Sequence, residues 1–132
     1  MGVSVDLIYE DLRCKSADDA RKAAATIAAD EWIHPYHLQV VPATRLHPGP
    51  GITPCLEVTH FKGDHWHDER ARRVWLAIAP HLANGSTLEF EGEDSTRWRI
   101  RWEGSRVFEE HVTEVIWAVN EEITAPEAEK QS

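Results

Sequence analysis

The chain is poor in cysteine, and the two it has, Cys14 and Cys55, stand far apart and form no C-x-x-C pair. That excludes a disulfide-stapled scaffold and a thioredoxin-like redox motif, and it favours free thiols in a reducing compartment, although the sequence leaves one Cys14–Cys55 bridge open. Cations are scarce too. The 14 lysines and arginines face 23 aspartates and glutamates, for a formal net charge of -9. Nonspecific binding to DNA or RNA depends on clustered cations and counterion release, so this balance argues against it. No apolar run is long enough to span a bilayer, and no N-terminal basic segment leads into an apolar stretch and cleavage site. A cytoplasmic protein with no membrane partner is the expectation. G-x-S-x-G and P-loop patterns are absent, as is a serine or cysteine beside a plausible histidine base. The sequence therefore favours a non-enzymatic role and implies no cofactor.

What is present is enough to build one core. A length of 132 residues, 42% of them hydrophobic and six of them tryptophan, suits a single domain and is too short for two well-buried ones. Residues 1–121 are expected to form that domain. Residues 122–132, polar and containing Pro126, are expected to be a flexible acidic tail.

Val3, Val5, Leu7 and Tyr9 alternate with polar residues and predict an opening strand. Ser16 then predicts an N-cap, with Asp18 and Asp19 in the first turn of a helix over about 17–32 whose stripe is Ala20, Ala23, Ala24, Ile27 and Ala28. Residues 33–54 carry Pro42, Pro48, Pro50, Gly49 and Gly51, which predict a loop apart from a short strand at 38–41. Leu56 and Val58 open another strand that Gly63 ends. If these two strands pair, the proline-rich stretch is a projecting hairpin tip.

Asp64 is placed to cap a second helix with the stripe Ala71, Val74, Trp75, Ile78 and Leu82, interrupted at Pro80 and stopped by Asn84-Gly85; Arg70, Arg72 and Arg73 face away. Three antiparallel strands follow, at about 86–91, 97–103 and 106–119. In the middle one, Arg97, Arg99 and Arg101 interleave with Trp98, Ile100 and Trp102. The fold class is α+β: a mainly antiparallel sheet, two helices packed on one face, and a C-terminal three-stranded meander.

The run Gly85-x-Thr87 to Phe90, then Glu91-Gly92-Glu93-Asp94, Trp98-Arg99, Gly104 and Val115-Ile116-Trp117, resembles the tail of a family of small uncharacterised bacterial and phage proteins. The resemblance covers about the last third of the chain. It implies an α+β domain from bacteria or their viruses and carries no activity.

Four groups of residues are candidates for function. Charge that favours a basic partner points to a protein-binding module, of the inhibitor, immunity or phage counter-defence type, using Glu91, Glu93, Asp94, Glu109 and Glu110 on the outer face of the meander and its acidic turn. Alternatively, Asp64-His65-Trp66-His67-Asp68-Glu69 offers imidazoles and carboxylates of the kind zinc or iron takes, with His34, His37 or His60 as further ligands. That loop is similar to the H-x-H-x-D-H loop of metallo-β-lactamase-like hydrolases. It departs from it after His67, and the chain is too short for that two-sheet fold. Trp75, Trp98 and Trp102 suggest a small-ligand pocket between sheet and helices. Finally, the Arg97, Arg99, Arg101 ladder has the residue types of a nucleic-acid strip, but its tryptophans point to the other face and glutamates on neighbouring strands can neutralise it. His60, in step with Leu56 and Val58, is expected to be half-buried on the apolar face.

Overall fold

The period-two alternation that builds the sheet also carries the chain past its own interruptions. The computed structural model describes residues 4–47, 51–113 and 116–125, with side chains left out at 47, 113 and 116–118. Its elements are β1 (Val5–Arg13), α1 (Ala17–Ala29), β2 (Leu38–His47), β3 (Gly51–Phe61), α2 (Asp68–Ile78), a 3-10 turn (Ala79–His81), β4 (Thr87–Gly92), β5 (Arg97–Glu103), β6 (Arg106–Thr113) and β7 (Ile116–Ile123). The strands form one antiparallel sheet in the order β2-β3-β1-β4-β5-β6-β7. The fold is α+β as expected. None of the described helices is long and apolar enough to cross a membrane.

Both helices pack on one face and share a core. Ala20, Ala23 and Ile27 of α1 and Ala71, Val74, Trp75 and Ile78 of α2 are buried, as their three- and four-residue spacing requires. They meet Leu12, Leu56, Leu88, Phe90, Ile100, Trp102 and Val107 from five strands. The Trp102 indole N–H donates to the Trp75 carbonyl at 2.9 Å, so the most deeply buried tryptophan leaves no polar atom unpaired. Ser16 caps α1 as expected, its Oγ accepting from the Asp19 N–H at 3.0 Å. Replacing such a cap costs about 1 kcal/mol.

Several boundaries differ from the sequence reading, each for a local reason. Helix α1 ends at Ala29 and not Trp32, because the Asp30 carboxylate accepts from the N–H groups of Trp32 (3.0 Å) and Ile33 (2.9 Å) and turns the chain. The proline-rich segment is mostly strand: Leu38 pairs with Phe61 and the ladder continues to His47 and Gly51. Its prolines are tolerated because β2 is an edge strand, and because the Pro54 carbonyl points to β1, accepting from the Cys14 N–H at 2.9 Å. The side of Pro54 that lacks a donor therefore faces away from the β2 ladder. The hairpin tip at 48–50 lies outside the described residues.

Asp64 does not cap the second helix. α2 starts at Asp68 with His67 in the cap position and no side-chain cap, while Asp64 accepts from the Ser4 hydroxyl at 3.4 Å. The last predicted strand is a hairpin of two, β6 and β7, so the meander has four strands; residues 114–115 between them lie outside the described ones. Ile123 pairs with Val107 and is buried, which carries the core two residues past 121. The remainder of the expected tail, 126–132, falls outside the described residues.

Extra residues in the ladders turn side chains over. Ile8 in β1 and Thr59 in β3 have no cross-strand partner. Thr59 reverses the alternation in β3, so Phe61 joins the core and His60 is exposed, its Nε2 2.9 Å from the Tyr36 carbonyl; the half-buried His60 of the sequence reading is not found. Gly63 is buried where β1 begins, accepting from the Val5 N–H at 3.2 Å. A Cβ at 63 would overlap the Val5 backbone, so only glycine lets the chain entering α2 lie this close.

Candidate functional site

The tight turn after β4 is built by Gly92-Glu93-Asp94-Ser95-Thr96. The Asp94 carboxylate accepts from the Thr96 N–H at 3.1 Å, the Gly92 N–H donates to the Thr96 carbonyl at 2.8 Å, and Ser95 takes a φ of 68°. This turn, the first residue of α2 and the distal half of β6 surround a cavity of about 290 Å³, lined by Asp68, Gly92, Glu93, Asp94, Thr96, Trp98, Glu109 and His111. Residues from three separate segments thus meet at one end of the helix-bearing face.

Alternation puts them there. Val107 is buried, so Glu109 and His111 follow it on the helix side of β6, while Phe108 and Glu110 point to the opposite face. Trp98 is half-buried and stacks on Phe90, with ring centroids 5.8 Å apart and planes at 26°. Gly92 sits against this ring. A Cβ there would lie 3.0 Å from Asp94 Oδ1 and 3.4 Å from Trp98 Cζ3.

The cavity's charges are partly balanced from one side. Arg72 Nη2 donates to Glu109 Oε1 at 2.8 Å and to Glu121 Oε1 at 2.9 Å, so Arg72 does not face away from the body as its helix position suggested. His111 Nε2 lies 2.9 Å from Glu109 Oε2. Burial alone would raise the Glu109 pKa, but the hydrogen bonds from His111 and Arg72 outweigh it and hold the carboxyl below its ordinary value. Asp68 moves the other way. Although much of its surface reaches solvent, its confined carboxyl and the neighbouring Glu109 charge raise its pKa against the pull of Arg72, His67 and a hydrogen bond from Trp66. Asp94 is held low by the Thr96 side-chain and backbone hydrogen bonds.

Of the five carboxylates expected to share one binding surface, three line this cavity and two do not. Glu110 is buried on the other face between Arg99 Nε (2.6 Å) and Arg101 Nε (3.1 Å), and Glu91 pairs there with Arg97 at 3.0 Å. Arg101 also binds Glu103, and Arg106 binds Glu122 at 2.6 Å. The arginine ladder is therefore neutralised by cross-strand and same-strand glutamates. Of the three tryptophans suggested as a pocket, Trp75 and Trp102 are core residues and only Trp98 reaches the cavity. Asp68 and His111 were not foreseen as partners of Glu109. The signal available was the position of His111 two and four residues beyond Glu109 and the apolar Val107.

The histidines suggested as metal ligands take separate roles. His37 Nδ1 is 2.8 Å from the Lys62 carbonyl and its ring lies 4.4 Å from that of Trp32. His67 packs edge-on to Trp32 at 6.5 Å, with its Nδ1 buried and without a partner. His65 has a φ of 58° and, with His37, Tyr36, Lys62 and Asp64, borders a second open cavity of about 300 Å³. His34 sits in the turn after α1, its N–H donating to the Asp30 carbonyl at 3.0 Å. Among the described residues no three His, Cys, Asp or Glu side chains converge as a metal-binding group.

Both cysteines are unpaired and buried. Burial, then the nearby Cys55 and Asp19, push the Cys14 thiol up to about 12, and burial also raises Cys55. Neither is a thiolate near neutrality, so neither is poised as a nucleophile. Comparison with known proteins adds no relative: no family model matches the chain, and neither a curated protein nor a solved structure is significantly similar to it.

Proposed function

We propose that this protein is a non-enzymatic binding module that docks a basic surface of another protein onto the acidic end of its meander. The observation that carries the reading is the gathering of Asp68, Glu93, Asp94 and Glu109 around one open cavity, while the glutamates Glu91, Glu103, Glu110 and Glu122 are matched by arginines. A formal net charge of -9 would steer a basic partner toward that end, and the carboxylates would fix its orientation there. Action by occupancy, as an inhibitor, an immunity protein or a phage protein that blocks a host defence, needs nothing more from the site. A bacterial or phage origin and a cytoplasmic location, in keeping with the free buried thiols, belong to the same proposal.

Immobilised wild-type protein and the Asp68→Asn/Glu93→Gln/Asp94→Asn variant, with matching circular dichroism, test it side by side. The expected result is a captured partner of basic surface whose retention falls steeply with salt and at least about tenfold in the variant. Equal retention by both, or a partner held through another face, would sink the reading.

A further inference from the structure

The cavity has features that a solvated group of carboxylates lacks. Its wall is an aromatic ring: Phe90 stacks on Trp98 from one side, and the half-buried indole presents its remaining surface to the cavity. Gly92 lies along this wall, where a Cβ would touch Trp98 Cζ3 at 3.4 Å and be tight only against Asp94 Oδ1 at 3.0 Å. Its lining charges are four carboxylates against one imidazole, and the adjacent Arg72 is already held by Glu109 and Glu121. Glu93 and Asp94 arrive from the turn, Asp68 from a helix start and Glu109 from a strand, so acceptors approach from different sides. At about 290 Å³ the space is at the lower limit of the roughly 300–1,000 Å³ that drug-sized ligands occupy. One long side chain fits, and the four carboxylates repel a nucleotide's phosphate.

From these observations we infer that the cavity is a slot for a single guanidinium group, the exposed arginine of the basic partner proposed above. A guanidinium is flat, weakly hydrated and rich in in-plane donors, so it stacks on Trp98 while its edges meet carboxylates. A lysine ammonium is a compact, strongly hydrated charge that gains less from the ring. The inference rests on the proposed function for the identity of the occupant. The local chemistry is testable without any partner.

The test uses the full chain labelled with ¹⁵N and three peptides, acetyl-Gly-Arg-Gly-amide and its citrulline and lysine counterparts. The readout is the Trp98 indole N–H resonance, identified by its loss in Trp98→Phe. The arginine peptide is expected to give a saturable shift centred on Trp98, with affinity about tenfold above the citrulline peptide, a neutral isostere, and severalfold above the lysine peptide. Glu93→Gln/Asp94→Asn, with the remaining spectrum intact, is expected to abolish the preference by removing charge. Equal response to arginine and citrulline, equal response to arginine and lysine, or an unmoved Trp98 each overturns the slot. If a basic protein is captured with the expected dependence on Glu93 and Asp94 while the peptide leaves Trp98 unmoved, only this inference falls. If the peptide binds and no basic protein is captured, the proposed function falls and the slot stands.

Discussion

Glu109 and Glu110 are neighbours in the chain and have opposite surroundings. Glu110 points to the open face of the sheet, where it is closed in by Arg99 and Arg101 and buried. Glu109 points to the helix-bearing face, where Arg72 and His111 engage it but Asp68, Glu93 and Asp94 crowd the same cavity with further negative charge. One strand thus carries a neutral charge ladder on one side and an unbalanced acidic site on the other. Residue type does not separate a carboxylate closed in by cations from one crowded by other carboxylates; the supply of cations on its own face does.

The comparison can be broken first at Glu110. Glu110→Gln removes the anion that two partly buried guanidiniums share, with Arg101 keeping Glu103. Breaking a fully buried pair costs about 3–5 kcal/mol, and the partial exposure of both arginines reduces that to roughly 2–3 kcal/mol. Urea denaturation should show this as a lower midpoint at an unchanged slope, with arginine-peptide binding unaffected. Glu109→Gln should cost less, about 1–2 kcal/mol at pH 7, because Arg72 retains Glu121.

Acid sharpens the contrast within the cavity. The Glu109 pKa is depressed in the fold, so its contribution is present above the ordinary carboxyl value and is lost as pH falls through the depressed one. Wild type and Glu109→Gln should therefore converge in stability at low pH. Asp68 has the opposite sign: its raised pKa marks an ionised form that the fold disfavours, a cost present above that pKa and absent once the group is protonated. Asp68→Asn is expected to be slightly more stable than wild type at pH 7 and equal to it at low pH. A destabilised Asp68→Asn at pH 7 would show that this carboxylate is held by its partners, not strained by its neighbours. The smallest effect belongs to Arg106→Ala, which removes an exposed pair with Glu122 and a guanidinium lying over the Phe108 ring and should barely move the urea midpoint.

Much of the fold was legible because alternation is unambiguous where nothing interrupts it. Arg97–Glu103 is a strand with the bounds its pattern predicts, and the stripe Ala71, Val74, Trp75, Ile78 is buried as read. Where single extra residues enter a ladder, as at Ile8 and Thr59, the pattern before them says nothing about the faces after them, and His60 was misplaced for that reason. Prolines 42 and 54 hid the long hairpin because their cost depends on which side of a strand meets a neighbour, a property of sheet order and not of local sequence. The candidate site was half legible. Opposite faces for Glu109 and Glu110 follow from Val107, whereas the meeting of Asp68 with the turn at 92–96 depends on how α2 is set against the sheet.

That setting returns to Gly63. Because no side chain fits between residue 63 and the first residue of β1, the chain leading into α2 is pinned to the sheet a few residues before Asp68. For anyone wishing to redesign what the cavity holds, this divides the molecule into two kinds of territory. The charge on Glu93 in the turn can be varied, while Gly63 is a fixed datum from which the opposite wall is measured.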